Sequence, residues 1–473
     1  MFEFTSKAKT FAIALFAIGL IGVIAGFVTN GSGDHGDHAS HDTHAMAEGH
    51  DSHDAHAEEA GHDAHATHGE EAHHDGGHGE AHGESHGAAH GGGHGEGHHG
   101  LDAETIAHQK ANRPWSALFL NAFFWFSIGL GSLFFLAIQY AASAGWTAGL
   151  LRIFEAVALW LIIPGLVIVV IFILGGYGHM HHMYHWMAEG IAIEGHENYD
   201  KIIAGKSGYL NVPFFLIRAL VYLAGWYFAA RYIRKNSMAE DVNGGEIYYR
   251  KNFKASAIFL VFFAVTSSMM AWDWIMSIDA HWFSTLFGWY TFAGLFVSAL
   301  TALNLIIVYL KNKGYMEWIN ENHMHDMGKF MFAFSVFWTY LWFSQFMLIW
   351  YSDIPEEVTY YMQRFGEYKL PFFFMVALNF VFPVLLIMSR DAKRNYPIIM
   401  FTGIIVLVGH WLDHFVMIMP GTVGNFWGFG LVEVFGFIMF MGLFIYVVFN
   451  NLSKAPLHQK NHPMAVESEH FTL

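Results

Sequence analysis

The chain has 473 residues and no cysteine. That absence excludes disulfides, iron–sulfur clusters held by thiolates, and covalent c-type haem, which needs a C-x-x-C-H motif. Any electron-transfer role must borrow its redox centres from other subunits or use b-type haem held by histidine. Haem b in turn needs axial histidines facing one another from different helices. The two histidines that lie well inside apolar segments, His410 and His414, share one segment. A phosphate-binding glycine loop and a hydrolytic triad are also missing. Charge is scarce: charged residues make up 14% of the chain and hydrophobic ones 54%, the composition of a polytopic membrane protein.

Positive charge is absent from one long stretch. Between Asp34 and Gly100 there are 19 histidines and 15 acids but no Lys or Arg. Such a tract buries too little apolar surface to offset its ordering entropy, so it reads as a disordered, hydrated tail. Its histidines can hold divalent metal loosely but without fixed geometry; a solvated spacer or pH-sensitive brush explains them equally well. The rest of the chain holds 25 acids against 24 Lys plus Arg. The net acidity therefore belongs to the tail and implies no nucleic-acid or basic partner.

Apolar runs dominate the remainder. Crossing a hydrocarbon core takes about 20 helical residues, and ten segments qualify, at 9–28, 115–142, 150–178, 211–233, 253–277, 283–310, 328–351, 369–390, 396–419 and 427–450. The predicted fold is all-α, a ten-helix polytopic membrane protein. The first run follows Lys7 and Lys9 as in a signal peptide, yet it is long and lacks a small-x-small cleavage site, which favours an uncleaved anchor. With a cytoplasmic N-terminus, the even-numbered connections and both termini collect 17 of the 24 basic residues. The positive-inside rule then places both termini in the cytoplasm and the histidine tail outside.

The chain also repeats itself. Pro213-Phe214-Phe215-Leu216-Ile217-Arg218-Ala219-Leu220 opens the fourth segment, and Pro371-Phe372-Phe373-Phe374-Met375-Val376-Ala377-Leu378 opens the eighth. The fifth and ninth segments each place a Trp just before an acid, at Trp272-Asp273 and Trp411-Leu412-Asp413. These matches predict two duplicated four-helix bundles as parallel repeats. The expected organisation is an N-terminal transmembrane anchor over 1–30, the His/Asp/Glu/Gly-rich tail over 31–110, a first four-helix bundle over 111–280 and a second over 281–420. A tenth span and C-terminal cytoplasmic tail complete it over 421–473.

Ionisable groups inside membrane spans are costly and usually functional. His410, Asp413 and His414 lie at spacings of three and four, on one helical face. His410 sits nine residues inside its segment, about 14 Å deep. Asp273 lies close to the outer end of the fifth segment, where an acid hydrated by headgroup water is the plainer reading. Glu433, Gln345, Asn304 and Asn379 extend the polar set, and His281 and Asp353 stand at segment ends. A chain of Asp, His and Glu through a bundle is what a proton relay requires. Asp273 with His281, Asp353, or Asp413 with His414 also offers a proton acceptor for a quinol at the outer face. Arg152 and Glu155, three residues apart at the start of the third segment, read as an interfacial ion pair. His179, His181, His182 and His185 close that segment. The four-residue step from His181 to His185 suits zinc or copper if it falls on a helical turn, and equally suits an interfacial amphipathic turn.

Several stretches carry a family resemblance. They are Trp272-Asp273-Trp274-Ile275-Met276-Ser277-Ile278-Asp279-Ala280-His281-Trp282, His325-Asp326-Met327-Gly328-Lys329-Phe330-Met331-Phe332, Trp338-Thr339-Tyr340-Leu341-Trp342-Phe343-Ser344-Gln345-Phe346 and Ile354-Pro355-Glu356-Glu357. Together with the ten-helix plan they resemble the NrfD-like, polysulfide-reductase family of membrane subunits, in particular the F subunits of bacterial alternative complex III. The resemblance spans about 100 to 450. It implies a menaquinol:cytochrome c oxidoreductase of the bacterial inner membrane, with haem c and Fe–S clusters in a multihaem cytochrome c and an Fe–S protein. A sister NrfD-like subunit and a terminal cytochrome c oxidase are further implied partners. It also implies a menaquinone site on the outer side, in this subunit or its sister, and no redox cofactor held by this chain. Two other classes compete: a divalent-metal transporter, suggested by the histidines, and a purely structural membrane anchor.

Overall fold

The computed structural model describes residues 2–31 and 103–472. The histidine tract lies outside the described residues. Ten helices are long and apolar enough to cross a membrane: α1 (Ser6–Asn30), α2 (Ala103–Ala141), α3 (Leu151–Gly176), α4 (Val212–Asn243), α5 (Glu246–Ile278), α6 (Phe287–Asn312), α7 (Glu321–Ser352), α8 (Lys369–Ile387), α9 (Tyr396–Val423) and α10 (Leu431–Leu452). Each coincides with one segment read from hydropathy, and among the described residues there is no strand. The protein is an all-α, polytopic membrane protein. Helix α2 begins at Ala103, inside the stretch 31–110 assigned to the tail.

Packing follows the sequence repeat. Helices α2, α3, α4 and α5 contact one another in a closed ring, and α6, α7, α8 and α9 form a second ring with the same order. The first helices of the two rings, α2 and α6, pack together. The fourth helix of each ring also lies against the first helix of the other, α5 on α6 and α9 on α2. Small residues permit the close approaches, as apolar membrane helices require. A Cβ at Gly131 of α2 would meet Ala299 Cβ at 2.6 Å and Leu295 O at 2.7 Å on α6. Helix α10 packs on α2 and α3, and α1 packs on α10. A Cβ at Gly442 of α10 would come within 2.5 Å of the Phe16 backbone nitrogen.

Prolines leave carbonyls without intrahelical donors four residues upstream, and side chains fill those gaps. Pro114 frees Lys110 O, which accepts from Asn30 Nδ2 at 3.0 Å and so ties the end of α1 to α2. Pro420 frees Val416 O on α9. Arg364, on a short outer helix at Pro355–Phe365, donates to it through Nε at 3.1 Å. In α8, Pro383 follows a π-helical turn at Ala377–Val381.

Both ends of the chain lie on one face. Phe2 packs edge-on against Tyr315 and at a tilt against Phe449, and Ser468 and Phe471 bond the α2–α3 and α6–α7 loops through Trp146 and Asn320. Arg152 and Glu155 are fully buried here, not at an open interface. Arg152 donates to Glu155 at 2.9 Å and to Asp241 at 2.5 Å. Gln459 of the C-terminal segment closes over them, donating to Glu155 at 3.2 Å and Ser237 at 2.9 Å.

Three residues further on, burial pushes the His462 imidazole down to about 4. Its Nδ1 accepts from Met464 N, which fixes a neutral tautomer. An unfolded histidine titrates near 6.5. The docked segment therefore keeps its full stability above about pH 6.5 and loses it as the pH falls toward 4, by up to about 1.4 kcal/mol per pH unit. Limited proteolysis after residue 455 should be faster at pH 5 than at pH 7.5, and His462→Leu should flatten that difference. Equal cleavage at both pH values in the wild type would contradict the docked, neutral histidine.

Candidate functional site

Two buried acids define the chemistry, one in each bundle. On α9, Asp413 is fully buried and its two carboxylate oxygens have separate donors. Tyr290 Oη of α6 donates to Oδ1 in a short hydrogen bond, and Trp338 Nε1 of α7 donates to Oδ2 at 2.9 Å. His410, one turn away, places Nδ1 3.5 Å from Oδ2. Neither ring nitrogen of His410 has a hydrogen-bond partner among the described residues. Its ring meets Trp338 edge to face at 5.4 Å. Helix α9 runs from Tyr396 to Val423, so His410 stands at its middle. A phenol and an indole donate to this carboxyl group, and among the described residues no Lys or Arg bonds it.

Polar groups without protein partners continue inward from this centre. Asn379, in the π-helical turn of α8, has neither side-chain atom bonded, and a Cβ at Gly409 would strike its Oδ1. Thr402 Oγ1 on α9, and Thr301 Oγ1 and Asn304 Oδ1 on α6, are likewise buried without partners. Asn304 Nδ2 donates to Leu300 O and Met327 O. A buried polar atom left unpaired costs about 1–3 kcal/mol, and ordered water commonly relieves it. These unpaired atoms are spread over α6, α8 and α9 of the second bundle.

Asp273, on α5 of the first bundle, is held quite differently. Arg218 of α4 grips it through Nε at 2.8 Å and Nη2 at 3.0 Å, and Tyr222 Oη adds 3.1 Å. The guanidinium packs against the mutually perpendicular rings of Tyr209 and Phe214, 3.9 and 4.3 Å from their centroids. In place of an acid hydrated by headgroup water, the structure has a buried bidentate ion pair. The repeat explains the contrast between the acids. Aligning Pro213 with Pro371 sets Arg218 against Val376 and Tyr222 against Phe380, so α8 offers Asp413 neither partner.

The other sequence candidates disperse. His414 turns toward the first bundle: Nδ1 bonds His410 O at 2.6 Å, Nε2 lies 3.4 Å from Ser127 Oγ, and Phe123 and Phe124 pack on the ring. Glu433 is buried in the first turn of α10, paired with Arg113 Nε at 3.2 Å and accepting from Gly430 N. Gln345 is buried in the second half of α7. His281 bonds Asp200 at 2.6 Å between two loops, while Asp353 is exposed and ends α7 at φ 48°. The structure does not bring His281 or Asp353 into the Asp273 pair.

The four histidines after α3 also separate. The helix ends at Gly176, so His181 and His185 are not on a common helical turn. His181 Nε2 bonds Ile171 O at 3.0 Å, and His182 stacks on His108 at 4.0 Å. Burial lowers both imidazoles, and His108 lowers His182 further. Among the described residues no three His, Cys, Asp or Glu side chains converge as metal ligands.

Sequence reading missed Tyr290 and Trp338 as partners of Asp413, because neither is ionisable at ordinary pH and both sit in aromatic-rich helices. Arg218 carried a usable signal, since a cation inside an apolar span demands an acid at the same depth. No protein-family model matches the chain, and none of the curated proteins does.

The ion pair makes a direct prediction. Arg218→Gln should destabilise the protein by about 3–5 kcal/mol, because it leaves a buried carboxylate without its cation. Adding Asp273→Asn should restore part of that loss. Thermal unfolding in detergent of both single variants and the double variant measures the coupling; additive effects would remove the structural role assigned to the pair.

Proposed function

We propose that this chain is an integral membrane subunit, with no redox centre of its own, that conducts protons within a menaquinol:cytochrome c oxidoreductase of the alternative complex III type. The observation that carries the reading is Asp413. It is a fully buried carboxyl group bound by Tyr290 and Trp338, beside a histidine with both ring nitrogens free of partners. Such a group exchanges a proton without breaking an ion pair, which the Arg218–Asp273 pair does not permit. Thr402, Thr301 and Asn304 extend a polar line from it toward the face that carries the termini.

The assignment to a respiratory complex rests on the aromatic motifs, and the absence of cysteine is compatible with it. Fe–S and multihaem cytochrome c partners would supply the electron path. The Lys/Arg distribution supports cytoplasmic termini and an external histidine tail, and the family resemblance implies the bacterial inner membrane. A divalent-metal transporter needs ligands on a second helix at the level of His410. Among the described residues no His, Cys, Asp or Glu from a second helix joins His410 and Asp413 as a three-ligand set.

Asp413→Asn keeps the size and most hydrogen-bonding capacity of the acid but cannot exchange a proton. In the assembled complex, Asp413→Asn and His410→Ala should each lower quinol-driven cytochrome c reduction, or the accompanying proton release, by about tenfold or more, equivalent to about 1.4 kcal/mol. Tyr290→Phe should have a smaller effect of the same sign. Wild-type turnover and wild-type proton release in both of the first two variants would leave the structural-anchor reading standing. Isolation of the protein without cytochrome c and Fe–S subunits would separately remove the complex assignment.

A further inference from the structure

A second feature lies away from the buried acids, where α3, α4 and α10 meet near the face carrying both termini. A cavity of about 690 Å³ opens there, lined by Arg231, Arg234, Lys235 and Lys454 and by no acidic residue. Arg231, Lys235 and Lys454 are exposed, and among the described residues none of them pairs with a carboxylate. Arg234 is buried; its Nη2 donates to Asn451 O at 2.6 Å and its Nη1 stands 3.8 Å from Glu155. Three of these four cations have no counterion, all four repel one another, and a bound anion relieves that repulsion.

The walls say which kind of anion. Leu159, Phe228, Tyr232 and Met238 line the same cavity. From it, Ile217, Val221, Phe228 and Tyr232 run along α4, all exposed. Their spacings of four, seven and four residues set them on one helical face. A water-soluble anion has no use for such a stripe, whereas acyl chains would lie along it. Basic pockets between membrane helices at the cytoplasmic boundary suit anionic headgroups. We propose that this cavity binds an anionic phospholipid, its phosphate on Arg231, Arg234, Lys235 and Lys454 and its acyl chains along α4. Two phosphates match four cations better than one does, so a cardiolipin-type headgroup should bind more tightly than phosphatidylglycerol.

The test uses the full-length protein in phosphatidylcholine nanodiscs titrated with cardiolipin, with bound lipid read by native mass spectrometry. The triple variant R231Q/K235Q/K454Q leaves Arg234 beside Glu155 and should weaken cardiolipin binding about a hundredfold, at about 1 kcal/mol for each cation removed. The triple variant R250Q/K251Q/K254Q removes the same charge from exposed positions on the same connection and should bind as the wild type does. A thermal melt of each variant checks that both are folded. Equal losses in the two triples would reduce the effect to diffuse surface attraction and overturn the proposal. Competition by inorganic phosphate at the wild-type cavity would overturn it too, by making the site one for soluble anions.

Discussion

The crossing of α2 on α6 is the contact on which the rest of the architecture depends. These are the first helices of the two rings, and each also receives the fourth helix of the opposite ring. Gly131 lets the backbones approach until a Cβ would overlap Leu295 O. Between apolar helices in an apolar solvent there is no hydrophobic drive, so such close van der Waals contact carries the association. The exchange of fourth helices around this axis also fixes where the acids stand. Asp273 lies on α5 and Asp413 on α9, the two helices that pass from their own ring onto the first helix of the other.

The two rings are similar frames that treat their acids differently. In the first bundle a cation and a phenol from α4 saturate Asp273, and two aromatic rings pack against the cation. Removing one partner of such a pair leaves a buried charge, so the arrangement resists change. In the second bundle the matching positions on α8 are Val376 and Phe380, and Asp413 draws its donors from α6 and α7. One bundle therefore holds a latch between neighbouring helices. The other holds an acid that three helices reach without a cation.

Hydropathy made the ten helices legible, because a 20-residue apolar run has few other uses. The repeat was legible through two Pro-Phe-Phe openings. Partner choice was not. Arg218 and Asp273 are 55 residues apart, and Tyr290 and Asp413 are 123 apart. Nothing local marks such pairs until the helices are packed. The reading of His181 and His185 as one helical turn failed for a different reason. It extended α3 past Gly175 and Gly176, where the helix stops. Arg152 and Glu155 were read as interfacial because their segment begins there, yet the C-terminal segment folds back to cover them. A segment with no hydropathy signal could not announce that role.

Helix breaks and polar chemistry coincide in the second bundle. Pro383 leaves the carbonyl four residues earlier, that of Asn379, without its helical donor, and the chain responds with a π-helical turn at Ala377–Val381. That turn sets the Asn379 side chain against Gly409, where any larger residue would collide with it, one position before His410. Single π-turns within α-helices concentrate at functional sites. Here the turn costs α8 regular hydrogen bonds and gains an unpaired amide beside an unpaired imidazole at the middle of α9. The Asn379 side chain thus lies against Gly409, one position before His410, without a hydrogen-bond partner among the described residues.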